Sequence, residues 1–223
     1  MTVLPTFTYK FEHRGKKFGL LSYSDNEQMA VHLQKSGTFF ENETLDYIAD
    51  NYPAQGAILD VGANVGNHSL YFASFLKYEQ IFAFEPHPSN YELLSANLSG
   101  VSGFYPFNIA LHDLCGTAFI STDKYNMGMC KISSMFESIQ APMRTVDTFA
   151  LKNVTLMKID TEGNEIQILC GAMKTIERCR PLIIIEVAVE NFARYTAHME
   201  SIGYKLERHW KDRIVALYKP VAL

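Results

Sequence analysis

The chain has 223 residues, of which 48% are hydrophobic and 20% are charged, and this composition is typical of one globular domain with a sizeable core. Its net charge is −4, and basic and acidic side chains are mixed along the chain without a basic block. These values argue against a broad phosphate-binding surface, so we expect no nucleic-acid partner.

Strands and helices alternate along the first half of the chain. Apolar runs that end at Gly or Pro predict strands, and apolar residues at helical spacing predict helices. In chain order these are a strand at 7–11, a helix at 43–51, a strand at 57–61, a helix at 67–76, a strand at 81–85, a helix that stops before Gly100 and a strand at 104–109. Ser89 and Glu92 predict a capping box at the start of the helix that stops before Gly100.

The alternation is interrupted over residues 113–140 and then resumes. Residues 116–121 and 129–132 predict an irregular hairpin or loop within the interruption. The later elements are a strand at 154–160, a helix at 165–179, a strand at 182–187, a helix at 191–202 and two strands at 204–208 and 213–218.

This order predicts an α/β fold whose Rossmann-like sheet is mostly parallel and is covered by helices on both faces. No helix separates the final two strands, so the last strand is predicted to be antiparallel. We divide the chain into an N-terminal extension over residues 1–42, which packs on the site or caps it, and a domain over residues 43–223. Ligands of such sheets bind outside the carboxyl ends of the strands, so the residues that follow each strand are the site candidates.

The cysteines and the first ten residues indicate the cellular environment. The four cysteines have neither a Cys-x-x-Cys pair nor metal-type spacing. The N-terminus lacks the charged and apolar regions of a signal peptide, and no apolar stretch approaches the ~20 residues that a membrane helix needs. We therefore expect reduced cysteines, a cytoplasmic location and no membrane span. No feature of the sequence indicates an oligomeric state.

A glycine-rich motif follows the strand at 57–61 and opens the next helix. The residues that define this motif are Asp60, Gly62, Asn64, Gly66 and Asn67. Glycine permits a tight turn and close approach of a ligand, and the helix start supplies unpaired N–H groups. A dinucleotide motif would need glycine where Asn64 and Asn67 stand, which disfavours a nicotinamide-dependent oxidoreductase. The pattern is typical of loops that bind S-adenosylmethionine, whose ammonium group Asp60 would bind directly or through water; the alternative is a tight turn without a ligand.

Two further strand ends extend this donor site. Glu85 ends the second buried strand, where an acid accepts hydrogen bonds from ribose hydroxyls; the alternative is an exposed strand-end carboxylate. Pro86 would begin the wall beside the ribose. The end of the third strand, where an adenine would lie, consists of Asn108, Ile109 and Ala110.

Acids also follow the fourth strand. Asp160 and Glu162 are candidates for binding the amino end of a donor, for taking a proton from a substrate hydroxyl or for holding a divalent cation. We assign Asp160 to the donor site and to catalysis, Glu162 to catalysis, and Glu165 to the start of the following helix. Glu186 ends an apolar strand, where a lone acid is costly unless it is paired, solvated or functional, and it is the third catalytic candidate. No metal site is predicted, with a cation bridging these acids as the alternative.

On these residues the sequence resembles the FkbM-type methyltransferases, a branch of the class I S-adenosylmethionine-dependent enzymes. The resemblance covers about residues 39–187, and its most specific part begins at Met157, with Thr161 where the family usually has valine or a similar residue. The matching motifs are Ile58-Leu-Asp-Val-Gly-Ala-Asn-Val-Gly66, Ala83-Phe-Glu-Pro86, Asn108-Ile-Ala-Leu111, Thr145-Val-Asp147, Met157-Lys-Ile-Asp-Thr-Glu-Gly-Asn-Glu165 and Ile184-Ile-Glu-Val187.

The resemblance implies a seven-stranded sheet, a donor bound over Asp60, Gly62, Asn64 and Glu85, and O-methylation with S-adenosylhomocysteine as the product. The acceptor would be a small molecule or glycan, with a hydroxyl on a sugar or a secondary metabolite. N-methylation, RNA methylation and a non-catalytic module that binds S-adenosylmethionine are the alternatives on the same fold. Residues 1–40 and 113–140 are not matched and are expected to shape the acceptor pocket, and residues 37–41 could also cover the donor.

Overall fold

The computed structural model describes residues 6–23, 28–52, 55–123, 126–132, 139–210 and 214–221. Over these residues the strands are β1 Phe7–His13, β2 Lys16–Ser22, β3 Ala57–Val61, β4 Gln80–Phe84, β5 Phe104–Phe107, β6 Ala110–Leu111, β7 Gly116–Asp123, β8 Asn126–Ile132, β9 Ile139–Arg144, β10 Val154–Ile159, β11 Leu182–Val187, β12 Tyr204–Trp210 and β13 Ile214–Pro220. The α-helices are α1 Gln28–Ser36, α2 Asn42–Asn51, α3 Asn67–Phe75, α4 Pro88–Asn97, α5 Glu165–Gly171, α6 Met173–Cys179 and α7 Phe192–Ser201. None of these helices is long and apolar enough to cross a membrane.

Seven of the described strands form the central sheet, in the order β12-β13-β11-β10-β3-β4-β5. Neighbouring strands from β11 to β5 pair in parallel, whereas β13 pairs antiparallel with both β11 and β12. The predicted α/β sheet with its antiparallel last strand is therefore confirmed. Arg213, which the sequence analysis placed at the start of that strand, lies outside the described residues.

Helices cover both faces of this sheet, which explains why its central parallel strands are mostly apolar. Phe39 and the helices α2 and α3 pack on one face, together with the β1–β2 hairpin. Leu169 of α5 and Met199 of α7 belong to the core on the opposite face. Successive residues of β3 serve the two cores in turn, with Ile58 on the first face and Leu59 on the second.

The N-terminal hairpin is held to the helices of the first face by polar contacts as well as by burial. The side-chain amide of Asn97 exchanges two hydrogen bonds with the backbone of Leu21, at 2.7 and 2.9 Å, and donates to the Val65 carbonyl at 2.7 Å. His13 of β1 lies 2.8 Å from a carboxylate oxygen of Asp46 on α2. Residues 1–5 and 24–27 of the predicted extension lie outside the described residues, and the division of the chain at residue 42 stays a prediction.

The described strands within residues 113–140 belong to a second sheet, which has the order β6-β9-β7-β8. Its strands β7 and β8 form the antiparallel hairpin that was one of the two alternatives for this segment. The prediction of one strand over 104–109 is wrong, because β5 ends at Phe107 and Ala110 begins β6, which pairs with β9. Asn108 and Ile109 connect the two sheets.

Two helix predictions are also corrected. The helix predicted over 165–179 divides at Ala172, because the carboxylate of Asp147 accepts the backbone N–H groups of Lys174 and Thr175, at 3.0 and 2.8 Å, and so caps α6 separately. The capping box at Ser89 is absent, since α4 begins at Pro88 and has no side-chain cap. A proline at the first helical position has the backbone angle that the helix needs.

Candidate functional site

The glycine loop joins β3 to α3 through left-handed backbone conformations at Gly62, Asn64 and Gly66. A side chain at Gly62 would place its Cβ 1.8 Å from the carbonyl oxygen of Asp160. The same change at Gly66 would place a Cβ 2.6 Å from Cδ1 of Leu98. Internal packing and positive φ therefore account for both glycines, and evidence for a ligand has to come from the side chains around the loop.

Asp60 is completely buried under the glycine loop. Its Oδ2 accepts a hydrogen bond from the Ser69 hydroxyl at 2.7 Å, and its Oδ1 lies 3.2 Å from Nζ of Lys158. Lys158 stands opposite Asp60 in the register of β10 and β3. Asp60 thus fixes α3 and Lys158, and its binding of a donor's ammonium group, directly or through water, stays a prediction.

Lys158 is a site residue that the sequence analysis missed. Its Nζ donates to the Gly62 carbonyl at 2.8 Å and lies 3.4 Å from Oδ2 of Asp160. Burial alone lowers the pKa of Lys158, but the carboxylates of Asp60, Asp160 and Glu41 outweigh burial and raise it above its usual value. The signal was available, since a single lysine in an apolar strand requires a buried anionic partner.

Glu85 follows β4 directly and is buried beside the glycine loop. Its Oε2 accepts the Asn64 N–H at 2.9 Å, and its Oε1 accepts the His87 N–H at 2.9 Å. Burial raises the pKa of Glu85 to about 7, although these hydrogen bonds act in the opposite direction. The side-chain amide of Asn90 also donates to Oε1, at 3.5 Å, so of the roughly four acceptor positions of the carboxylate one remains for a ribose hydroxyl.

Two buried polar atoms beside Glu85 also fit such a ligand. Asn64 Oδ1 and His87 Nδ1 have no hydrogen-bond partner among the described residues. Burial lowers the pKa of His87, which favours its neutral form. Because buried polar groups are usually hydrogen-bonded, these atoms are suited to a ligand that carries several hydroxyl or amino groups, as S-adenosylmethionine does.

The side chains of two other candidates for the donor site form hydrogen bonds within the protein. The side-chain amide of Asn67 exchanges two hydrogen bonds with the backbone of Phe40, both of 3.1 Å, so it fastens the segment before α2 to the first residue of α3. The amide of Asn108 donates to the carbonyls of Glu85 and Pro86, at 2.9 and 3.0 Å. Asn108 therefore holds the ends of β4 and β5 in place.

The remaining candidates are spread over the structure. Ala110 is buried in β6 and Ile109 packs against the core of the second face, and their place beside an adenine stays a prediction. Glu162 is exposed on the turn after β10. Glu165 accepts the Gly163 N–H at 2.8 Å and the hydroxyl of Tyr195 at 2.8 Å. Glu165 thus stabilises the start of α5, as the sequence analysis proposed.

A cleft with an open volume of about 250 Å³ lies at the carboxyl ends of β10 and β11. Asp160 and Glu186 line it together, so the neighbouring strand ends bring the two main catalytic candidates into one cavity. Lys158, His68 and Glu41 line the same cleft, and Nε2 of His68 is 3.0 Å from Oε2 of Glu41. In the part of the chain that the structure describes, no group of three or more His, Cys, Asp or Glu side chains is arranged to hold a metal ion.

The comparison with family models identifies the family of the chain. The model of the FkbM methyltransferase domain matches residues 60–206, from the glycine loop through β12. The chain belongs to the FkbM methyltransferase domain family. The matched region includes the glycine loop, Glu85, Asp160 and Glu186, whereas Glu41 precedes it.

Curated relatives with some sequence similarity are methyltransferases of fungi and archaea. Methyltransferase sdnD of Sordaria araneosa is 38% identical over 164 residues, which cover 56% of this chain and 63% of that protein. Methyltransferase 1 of Beauveria bassiana is 27% identical over 148 residues, which cover 54% of this chain and 59% of that protein. The hexuronic acid methyltransferase AglP of Haloferax volcanii is 23% identical over 152 residues, which cover 66% of this chain and 62% of that protein. The chain thus spans about three fifths of the length of these relatives.

A solved structure shows the same fold. The crystal structure of the FkbM methyltransferase from Methylobacillus flagellatus superposes with a TM-score of 0.58 at 18% identity. The superposition covers 76% of this chain and 44% of that one. At this identity the similarity supports the Rossmann-like fold and carries no information about the substrate.

Proposed function

We propose that this FkbM domain is an S-adenosylmethionine-dependent methyltransferase that methylates a hydroxyl on a sugar, a glycan or a secondary metabolite. The observation that carries the proposal is the Glu85 carboxylate, which Asn64 and His87 orient at the end of β4 beside the glycine loop. An acid at that place is suited to the ribose hydroxyls of the donor. One relative is named a hexuronic acid methyltransferase, which supports a sugar as the acceptor.

The donor supplies an activated methyl group, and the residues of this chain position the reactants. Glu85 binds the ribose, and the cleft holds the acceptor hydroxyl near the ends of β10 and β11. Asp160 or Glu186 accepts a hydrogen bond from this hydroxyl, polarises it and removes its proton. The ammonium group of Lys158 lies 3.4 Å from Asp160 and holds its carboxylate in place at the edge of the cleft. Alignment of the two reactants contributes most of the rate enhancement.

The charge of the whole chain favours a small acceptor over a nucleic acid. The chain carries a net charge of −4, and its sequence has no block of basic residues. Such a chain offers no broad basic surface to a polyanionic backbone, so we propose a small-molecule or glycan acceptor.

An assay with methyl-labelled S-adenosylmethionine tests the proposed reaction. We expect label transfer to at least one member of a panel of neutral monosaccharides, uronic acids and hydroxylated aromatic compounds, with release of S-adenosylhomocysteine. Amines without hydroxyl groups and mixed RNA serve as the alternative acceptors. Label that appears only in the amines or only in RNA would replace O-methylation by one of those activities, and no transfer to any compound despite donor binding would indicate a binding module.

A further inference from the structure

A row of side chains continues from the cleft across the antiparallel edge of the central sheet. Glu186 of β11 stands opposite Val215 of β13, and Val215 stands opposite Trp210 of β12. Directly opposed residues of neighbouring strands project from the same face, and their Cβ atoms lie about 5 Å apart. Because Glu186 and Val215 both line the cleft, Trp210 stands directly beside it.

Trp210 forms an aromatic pair with Tyr47 at this side of the cleft. Tyr47 belongs to α2, whose residues Thr44 and Leu45 line the cleft about one turn earlier. The centroids of the two rings are 5.6 Å apart, with an interplanar angle of 72°. Both rings pack against the core of the first face and keep part of their surface exposed. The pair therefore offers apolar area on which a ring of a ligand can pack.

The guanidinium group of Arg208 lies against both of these rings. Its Cζ is 4.5 Å from the centroid of Tyr47 and 5.2 Å from a ring centroid of Trp210. Arg208 is exposed, and in the part of the chain that the structure describes its guanidinium forms no ion pair and no hydrogen bond. The rings thus hold the group in place by cation–π contacts, while its N–H donors stay available to a ligand.

A guanidinium group held in this way is suited to one carboxylate. Its parallel N–H donors match the two oxygens of a carboxylate in a bidentate contact, and its single positive charge balances the single negative charge. Trp210 and Glu186 are two strand spacings apart, about 10 Å, and side chains from both strands extend into this gap. An acceptor the size of a sugar residue could therefore place a hydroxyl in the cleft, its ring on Trp210 and its carboxylate at Arg208.

We propose that Arg208, positioned by Tyr47 and Trp210, binds the acceptor and selects acceptors that carry a carboxylate, such as uronic acids and other hydroxylated carboxylic acids. This inference rests on the proposed function and narrows its acceptor to an acidic one. Arg208 and Trp210 follow the region that the family model matches, and Tyr47 precedes it. The preference for an acid is thus assigned to residues outside the matched region.

Tryptophan fluorescence tests this binding directly, because Trp210 is the single tryptophan of the chain. Protein saturated with S-adenosylhomocysteine is titrated with two pairs of ligands that differ in the carboxylate, glucuronic acid with glucose and quinic acid with its methyl ester. We expect at least one acid to change the fluorescence with an affinity about tenfold higher than that of its neutral counterpart. A response to one acid alone identifies whether the carboxylate belongs to a sugar or to another hydroxy acid.

Substitutions at Arg208 separate its charge from its packing. Arg208→Met keeps an aliphatic side chain against both rings, so it should bind each acid no better than the neutral counterpart. Arg208→Lys keeps the charge without the planar fork and should keep part of the preference. Arg194→Met is the matched control, because Arg194 is an exposed arginine of α7, whose core residues belong to the opposite face. This control should show the native preference.

Equal affinities of the native protein for each acid and its neutral counterpart would overturn the proposal, as would an unchanged preference in Arg208→Met. If Arg208→Met does not fold, an unchanged preference in Arg208→Gln would have the same effect. Tighter binding of glucose 6-phosphate than of glucuronic acid would replace the carboxylate by a phosphate. In the labelled methyl-transfer assay, transfer only to neutral acceptors would overturn this inference alone, whereas no transfer to any hydroxylated compound would overturn the proposed function.

Discussion

Replacing Lys158 by methionine should lower the free energy of unfolding by about 3–5 kcal/mol, as expected when one partner of a buried ion pair is removed. Lys158 is almost completely buried, and its ammonium group contacts Asp60, Asp160 and the Gly62 carbonyl. Methionine has a similar length, so packing is largely kept while the buried charge of Asp60 loses its counterion. Urea unfolding followed by circular dichroism measures the change.

Two matched variants separate the ion pair from a general effect of losing a lysine. Lys10→Met, at an exposed position of β1, should change stability by no more than about 0.5 kcal/mol. The double variant Asp60→Asn with Lys158→Met should recover part of the loss, because neither charge is then left alone in the core. Exposed ion pairs contribute up to about 1 kcal/mol to stability. A decrease in the free energy of unfolding below that value for Lys158→Met would show that Lys158 and Asp60 do not form a buried ion pair.

Replacing Asp160 by asparagine should keep the fold and abolish turnover, with a fall in kcat/KM of about 100-fold or more. Asparagine has the shape of aspartate but can neither take a proton from the acceptor hydroxyl nor balance an ammonium group. Asp160 is only partly buried and its contact with Lys158 is 3.4 Å long, so the fold should tolerate the change better than it tolerates the loss of Lys158. Labelled methyl transfer to an acceptor identified by the panel, with thermal melting as the test of folding, gives both values.

Asp50→Asn serves as the control for this variant, since Asp50 is an exposed aspartate of α2 that contacts Arg14. It should retain native turnover. Full activity of Asp160→Asn would remove Asp160 from the catalytic assignment and would leave Glu186 as the candidate base.

The sheet could be predicted from the sequence because parallel strands covered on both faces are mostly apolar. The strand at 57–61 and the strand at 182–187 were predicted with the bounds that the structure has. Errors occurred where tertiary contacts override local pattern. The division of one helix into α5 and α6 depends on Asp147, which is distant in sequence from the amides it caps. β6 pairs with β9 across more than thirty intervening residues and has no local signal.

The site was harder to predict, because the sequence shows which acids follow strands but not which of them are occupied by internal partners. Asp60 and Glu85 look equivalent in sequence, since each acid stands at or directly after the end of a buried strand. In the structure, Lys158 of the neighbouring strand forms an ion pair with the carboxylate of Asp60, whereas backbone N–H groups orient Glu85. The register of β3 and β10 decides the difference, and register depends on the assembled sheet. Glu41 also lines the cleft, and it follows Phe40, whose backbone is held by the side-chain amide of Asn67.

The most direct test of the central claim is a calorimetric titration of the protein with S-adenosylhomocysteine, with NAD as the control ligand. We expect micromolar binding of S-adenosylhomocysteine, none of NAD, and loss of binding in Glu85→Ala. The affinity should also rise as the pH increases through about 7, since burial raises the pKa of Glu85 to that value and the ionised carboxylate is the stronger acceptor of hydrogen bonds. Folded protein that does not bind S-adenosylhomocysteine, or a Glu85→Ala variant that binds it as the native protein does, would contradict the donor site described here.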